Sequence, residues 1–210
     1  MKILLIGDSI TDMCRNREAD FHPSSYGVGY PIFIEGQLAK DYPNQHHVIN
    51  KGISGNRVVD VYARIKIDCW NHNPDVVSIL LGVNDVWHEV DGNNGVSIDR
   101  FEKVYRMLLQ DTKKALPNAK IIVMEPFILK GAAVEKVWDG MLEVKEYAKV
   151  VKKLAQEENC LFLPLQETMD QVSDQHGIAY CLYDGVHPSI VGGKIIAEKW
   201  LELFNAEIAK

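Results

Sequence analysis

Ser9 stands in Gly7-Asp8-Ser9-Ile10-Thr11, directly after an apolar run. A lone serine hydroxyl is a poor nucleophile at neutral pH and needs a base beside it. Far along the chain, Tyr183-Asp184-Gly185-Val186-His187-Pro188-Ser189 offers one. Three positions separate Asp184 from His187, so in a tight loop the carboxylate can take the Nδ1 proton and leave Nε2 facing outward. Each stretch also has a plainer reading. Asp and Ser readily satisfy backbone donors in an ordinary strand-to-loop turn, and His187 could simply be a loop histidine at a helix start.

Two further stretches could hold developing negative charge. Asn50-Lys51-Gly52-Ile53-Ser54-Gly55-Asn56 brings glycines whose backbone N–H can approach an oxyanion closely, Gly52 being the expected donor. A turn that merely needs positive φ at Gly52 or Gly55 would look the same. Leu81-Gly82-Val83-Asn84-Asp85-Val86-Trp87 adds an amide, Asn84, that could donate to the same oxygen or cap a helix. Asp8 and Trp87 are candidate substrate contacts, with core packing the alternative for Trp87.

These residues need a frame. β-prone apolar runs at 3–6, 48–50, 76–81, 121–124 and 161–163 alternate with segments of helical period at 28–42, 58–71, 98–115, 137–158 and 189–204. Phe101, Val104, Tyr105, Leu108 and Leu109 illustrate the helical spacing, and Pro117-Asn118 should stop that helix. Such alternation predicts an α/β fold, a three-layer α/β/α sandwich with about five parallel strands. No repeat or linker divides the chain, so residues 1–210 are expected to form one domain.

In open parallel sheets, ligands bind beyond the carboxyl ends of the strands. All four stretches fall where loops should leave that one edge, and together they supply nucleophile, base, orienting acid and oxyanion donors. In this order, GDSIT, NKGISG, GVNDVW and DGVHP resemble the four blocks of the SGNH (GDSL-type) serine hydrolases, from Ser9 to His187. The resemblance implies a flavodoxin-like fold and a catalytic triad of Ser9, His187 and Asp184. It further implies an oxyanion hole formed by the N–H groups of Ser9 and Gly52 and the side chain of Asn84. Ile10 replaces the leucine of the name-giving motif, an exchange compatible with the chemistry. The G-x-S-x-G elbow of ordinary α/β-hydrolases is absent.

Composition excludes several classes. The 210 residues are 47% hydrophobic and 25% charged, as in a water-soluble globular domain. With 23 Lys+Arg against 29 Asp+Glu, net −6, there is no source for the counterion release that drives nucleic-acid binding. No apolar run can span a bilayer, and MKILLIGDSIT lacks the features of a signal peptide, so a cytoplasmic enzyme without membrane association is expected. Cys14, Cys69, Cys160 and Cys181 form no zinc pattern and read as free thiols. His22, His46, His47, His72, His88 and His176 show no ligand spacing. Gly27-Val28-Gly29-Tyr30 is not a dinucleotide fingerprint. Neither cofactor nor metal is expected.

Within the family, the NKGISGN, GVNDVW and DGVHPS blocks look most like bacterial esterases that remove acetyl groups from plant-polysaccharide fragments. Gly52, Ile53 and Val83 should crowd the acyl site, which favours acetyl over long chains. The alternatives are a lysophospholipase, thioesterase or platelet-activating-factor acetylhydrolase-like activity, and, less favoured, a non-catalytic sugar-binding scaffold. Tyr26, Tyr30 and Trp87 are candidates for a sugar platform or for the subunit contact of a homo-oligomer.

Overall fold

A computed structural model describes residues 1–18 and 22–209. Five strands, β1 (Lys2–Gly7), β2 (His47–Gly52), β3 (Val76–Leu80), β4 (Lys120–Met124) and β5 (Leu161–Leu163), form one parallel sheet in the order β2-β1-β3-β4-β5. The expected α/β architecture, strand number and strand direction are all present. Every residue of β3 is buried, which requires cover on both faces and explains why it reads as an apolar run interrupted only by Ser78.

The cover comes from helices between and after the strands. They are α1 (Ser9–Asp12), α2 (Tyr30–Asp41), α3 (Val58–Asp68), α4 (Val83–Gly92), α5 (Ile98–Ala115), α6 (Trp138–Met141), α7 (Val144–Glu157), α8 (Gln166–His176), α9 (Ile178–Cys181) and α10 (Ile190–Glu207). Helix α2 packs on α10, while α3, α5 and α7 pack in a row. The buried side of α5, Phe101, Tyr105, Leu108, Leu109 and Thr112, keeps the 3.6-residue period, with Thr112 added to the expected stripe and Val104 at its border. Trp200 of α10 is fully buried, and its Nε1–H donates to Ser78 Oγ in mid-β3 at 2.7 Å, satisfying two buried polar groups at once.

The expected helix over 137–158 is broken. A single 3₁₀ turn (Glu135–Val137), α6 and α7 replace it, because α6 turns aside to pack on α4. Gly140 permits that approach: a Cβ there would lie 2.5 Å from Val90 Cγ1. None of the described helices is long and apolar enough to cross a membrane.

The register sets the site. Gly7 at the end of β1 pairs with Gly52 of β2 and with Leu80 of β3. The three following loops therefore emerge side by side, at the point where strand order reverses about β1.

Candidate active site

The turn after β1 is built for closeness. A Cβ at Gly7 would lie 2.4 Å from Thr11 Oγ1 and 2.6 Å from the Leu80 carbonyl oxygen, so only glycine fits between β3 and α1. Asp8 then caps α1, its Oδ1 accepting from Ile10 N–H at 2.9 Å. The Asp8 carbonyl accepts from the N–H groups of Thr11 and Asp12. Ser9, first residue of α1, is left with a backbone N–H that has no acceptor among the described residues.

Ser9 Oγ lies 2.8 Å from His187 Nε2, and His187 Nδ1 lies 2.7 Å from Asp184 Oδ2. A carboxylate only accepts, so Nδ1 carries the proton, and in the neutral ring Nε2 accepts from the serine hydroxyl. Asp184 Oδ1 also accepts from the N–H groups of Val186 and His187, at 2.9 and 2.8 Å. Half-burial alone would raise the Asp184 carboxyl, but the donors from His187 and Val186 outweigh it and hold it below its ordinary value. Gly185, at φ +98°, lets this loop fold against Gly131, where a Cβ would meet backbone at 2.5 Å. Ser189 Oγ accepts from Gly192 N–H and starts α10, while Tyr183 N–H donates to the His187 carbonyl. The four residues from Asp184 to His187 are thus fixed at both ends.

Gly52 does not present its N–H as expected. It is buried, and the N–H donates to Asn50 Oδ1 at 2.8 Å. Its lack of a side chain serves packing instead: a Cβ would lie 2.3 Å from Asp12 N and 2.6 Å from Thr11 C. Three residues on, Gly55 adopts φ +81°, and its N–H has no acceptor among the described residues. The positive φ that the sequence left open between the two glycines belongs to Gly55.

Asn84, in the first turn of α4, is buried and donates through Nδ2 to the Asn56 carbonyl at 3.2 Å, which joins it to the Gly55 turn. Asp85 reinforces the join, both its carboxylate oxygens accepting from Val58 N–H at 3.0 and 3.3 Å. Burial pushes the Asp85 carboxyl up to about 7, opposed by the Val58 N–H and assisted by Asp8. Asp8 itself is 1% exposed, out of reach of a substrate, so its expected role as a substrate contact is replaced by that of a helix cap. Burial raises its carboxyl to about 6 against the pull of Ile10 N–H and His187.

Two aromatic rings flank the imidazole. Trp87 lies 6.1 Å from the His187 ring centre and packs partly on the core, so it is both wall and core residue. Tyr183 stacks on His187 at 5.8 Å with an 18° interplanar angle and is 55% exposed. Sequence reasoning named Tyr183 only as a neighbour of Asp184; its place beside the imidazole follows from the loop's conformation. Tyr26 and Tyr30 are buried, Tyr30 with its hydroxyl 3.0 Å from Thr11 Oγ1, so neither offers the surface expected of a sugar platform or subunit contact. Val83 is buried and Ile53 half-buried. All four cysteines are free thiols. Among the described residues no group of three or more His, Cys, Asp or Glu side chains could hold a metal ion.

Residues 5–195 match the GDSL-like Lipase/Acylhydrolase family. The acetylxylan esterase of Geobacillus stearothermophilus is 38% identical over 212 residues, spanning 98% of this chain and 94% of that protein. A crystal structure described as a GDSL-like lipase from Parabacteroides merdae superposes with a TM-score of 0.90 at 37% identity, covering 98% of this chain and 96% of that one. A crystal structure of the Geobacillus acetylxylan esterase gives 0.84 at 37% identity, covering 96% and 93%. Catalytic mutants of that esterase replace a serine, an aspartate and a histidine by alanine, the last two lying three positions apart.

Proposed function

The chain belongs to the GDSL-like lipase/acylhydrolase family and is a carboxylic ester hydrolase, and we propose that it removes acetyl groups from xylo-oligosaccharides through a Ser9-His187-Asp184 triad. The observation that carries this reading is the continuous hydrogen-bonded line from Ser9 Oγ through the imidazole to Asp184 Oδ2. The same three residue types, with the same Asp-to-His spacing, are the catalytic mutants of an acetylxylan esterase.

The steps follow from the geometry. As Ser9 Oγ attacks the ester carbonyl, His187 Nε2 takes its proton. Asp184 stabilises the imidazolium and holds the ring in its tautomer without being protonated itself. We assign the oxyanion to the Ser9 N–H, the Gly55 N–H and Asn84 Nδ2. The first two are unspent donors, and Asn84 is tied to the Gly55 turn through Asn56. His187 returns the proton to the sugar oxygen as its bond to the acyl carbon breaks, so the sugar leaves as the alcohol and an acetyl-serine remains, and water repeats the sequence to release acetate. Tyr183, exposed beside the imidazole, is the wall on which the leaving sugar would rest.

An acyl-length series tests the substrate class. We expect kcat/KM for p-nitrophenyl esters to fall from acetate through butyrate to octanoate, with acetate released from acetylated xylo-oligosaccharides. A lipid-type groove would instead gain about 0.8 kcal/mol per buried methylene. A maximum at octanoate, with no acetate from any acetylated sugar, would move the reading to lipid-derived acyl groups.

A further inference from the structure

Arg64 lies on α3, outside every motif named above, and its side chain is only 14% exposed. It reaches back beneath the loop that follows β2. Its Nε donates to Asn56 Oδ1 at 2.7 Å, Nη1 to the Lys51 carbonyl at 3.0 Å and to Asp68 Oδ2 at 2.8 Å, and Nη2 to the Gly7 carbonyl at 3.2 Å. Gly7 is two residues before Ser9, and its carbonyl also accepts from Ile53 N–H at 3.0 Å. Asn56 adjoins Gly55, and its carbonyl is the acceptor that holds Asn84 Nδ2.

From these contacts we infer that Arg64 is a positioning residue: one guanidinium sets the nucleophile turn, the Gly55 turn and, through Asn56, the Asn84 amide at fixed mutual distances. The guanidinium suits this because its donors form a planar, rigid fork. Three acceptors, one at the end of β1, one near the end of β2 and one in the loop after β2, occupy that fork, and Asp68 fixes its outer end. A lysine ammonium is a single point charge on a flexible stem and cannot span the Gly7 and Lys51 carbonyls and Asn56 at once. The need is strict, since oxyanion donors act at about 2.7–3.1 Å from the developing charge, and a 1 Å misplacement costs about 100-fold in rate.

The inference rests on Ser9 being the nucleophile, so the test begins by titrating wild-type active sites with a fluorophosphonate. Arg64→Ala is then assayed with p-nitrophenyl acetate, and kcat is expressed per titrated site. The expected result is a fall in kcat of about 10- to 100-fold with KM changed less than about threefold. Arg64→Lys should recover little of the loss, and added guanidinium should restore part of it to Arg64→Ala. A residue that only stabilised the fold would lower the melting temperature and the number of titratable sites while leaving kcat per site unchanged. If Arg64→Ala does not fold, Asn56→Ala decides. It keeps the Asn56 carbonyl and removes one acceptor of the fork, and it should lower kcat per site several-fold. Turnover per site within twofold of wild type, in folded Arg64→Ala or in Asn56→Ala taking its place, overturns the role given to Arg64. A wild-type protein that takes up no label overturns the serine reading on which it stands.

Discussion

Replacing Gly52 by alanine separates a packing glycine from an oxyanion donor. The new Cβ would sit 2.3 Å from Asp12 N, 2.6 Å from Thr11 C and 2.8 Å from Asp12 Cα, where ordinary contact begins at 3.4 Å. All three atoms are backbone, so no side-chain rotation relieves the clash, and α1 must move away from β2 by about 1 Å. Ser9 begins α1, and its Oγ is 2.8 Å from His187 Nε2. A displacement of that size at the reacting hydroxyl should lower kcat about 100-fold. Overpacking should also cost about 1–3 kcal/mol, which lowers the melting temperature of a chain of this length by about 2–12 °C. Gly55→Ala is the companion. Its Cβ would meet nothing closer than His88 Nε2 at 3.9 Å, and its N–H is retained. At φ +81° the strain is about 1–2 kcal/mol, with kcat within a few-fold of wild type. Steady-state hydrolysis of p-nitrophenyl acetate and thermal unfolding of both variants decide the matter. Wild-type turnover and stability in Gly52→Ala, or a larger loss in Gly55→Ala, would refute the reasoning.

Asn84→Ala should lower kcat by about 100- to 1000-fold with a smaller change in KM, because an amide in the oxyanion hole bonds the tetrahedral intermediate better than the ester; a change confined to KM would place Asn84 in ground-state binding. His187→Ala should be more damaging than Asp184→Asn, since the imidazole moves the proton and the carboxylate orients it; comparison of the two kcat values checks this, and the reverse order would contradict the division of labour. Asp85→Asn should flatten the pH dependence of stability. A carboxyl raised from 3.8 to about 7 binds its proton more tightly in the folded state, so its stabilisation is full below about pH 4 and lost as pH rises through 7. The difference amounts to about 4 kcal/mol, and urea unfolding at pH 4 and pH 8 should show the variant gaining on wild type by that order; an unchanged gap would show that Asp85 titrates normally.

Where a structural feature has a local cause, the sequence reveals it. The central strands were legible because parallel strands buried on both faces are mostly apolar, and α5 because its stripe repeats at 3.6 residues. Ser9, Asp184 and His187 were legible because strand ends and a three-residue spacing place them. What escaped depends on distant partners. Helix α8 buries only Met169, so it carries no stripe, and the N–H groups of Leu165 and Gln166 at its start are held by Glu125 from another segment. The break between α6 and α7 follows from packing on α4. Gly52 and Gly55 are equivalent as letters; the Asn50 amide, which occupies the first and leaves the second open, distinguishes them only once the loop is folded. Arg64 lies eight residues beyond the Asn56 it holds, and only the folded loop brings the two together.

Whether Ser9 carries the acyl group is read most directly from the mass of the protein after reaction with a fluorophosphonate. One phosphonyl adduct per chain is expected, mapped to the peptide containing Ser9. Release of acetate from acetylated xylo-oligosaccharides should fall in proportion to labelling, and folded Ser9→Ala should neither label nor turn over above about 0.1% of wild type. An adduct on another residue, or near-wild-type turnover in fully labelled protein or in Ser9→Ala, would contradict that role of Ser9.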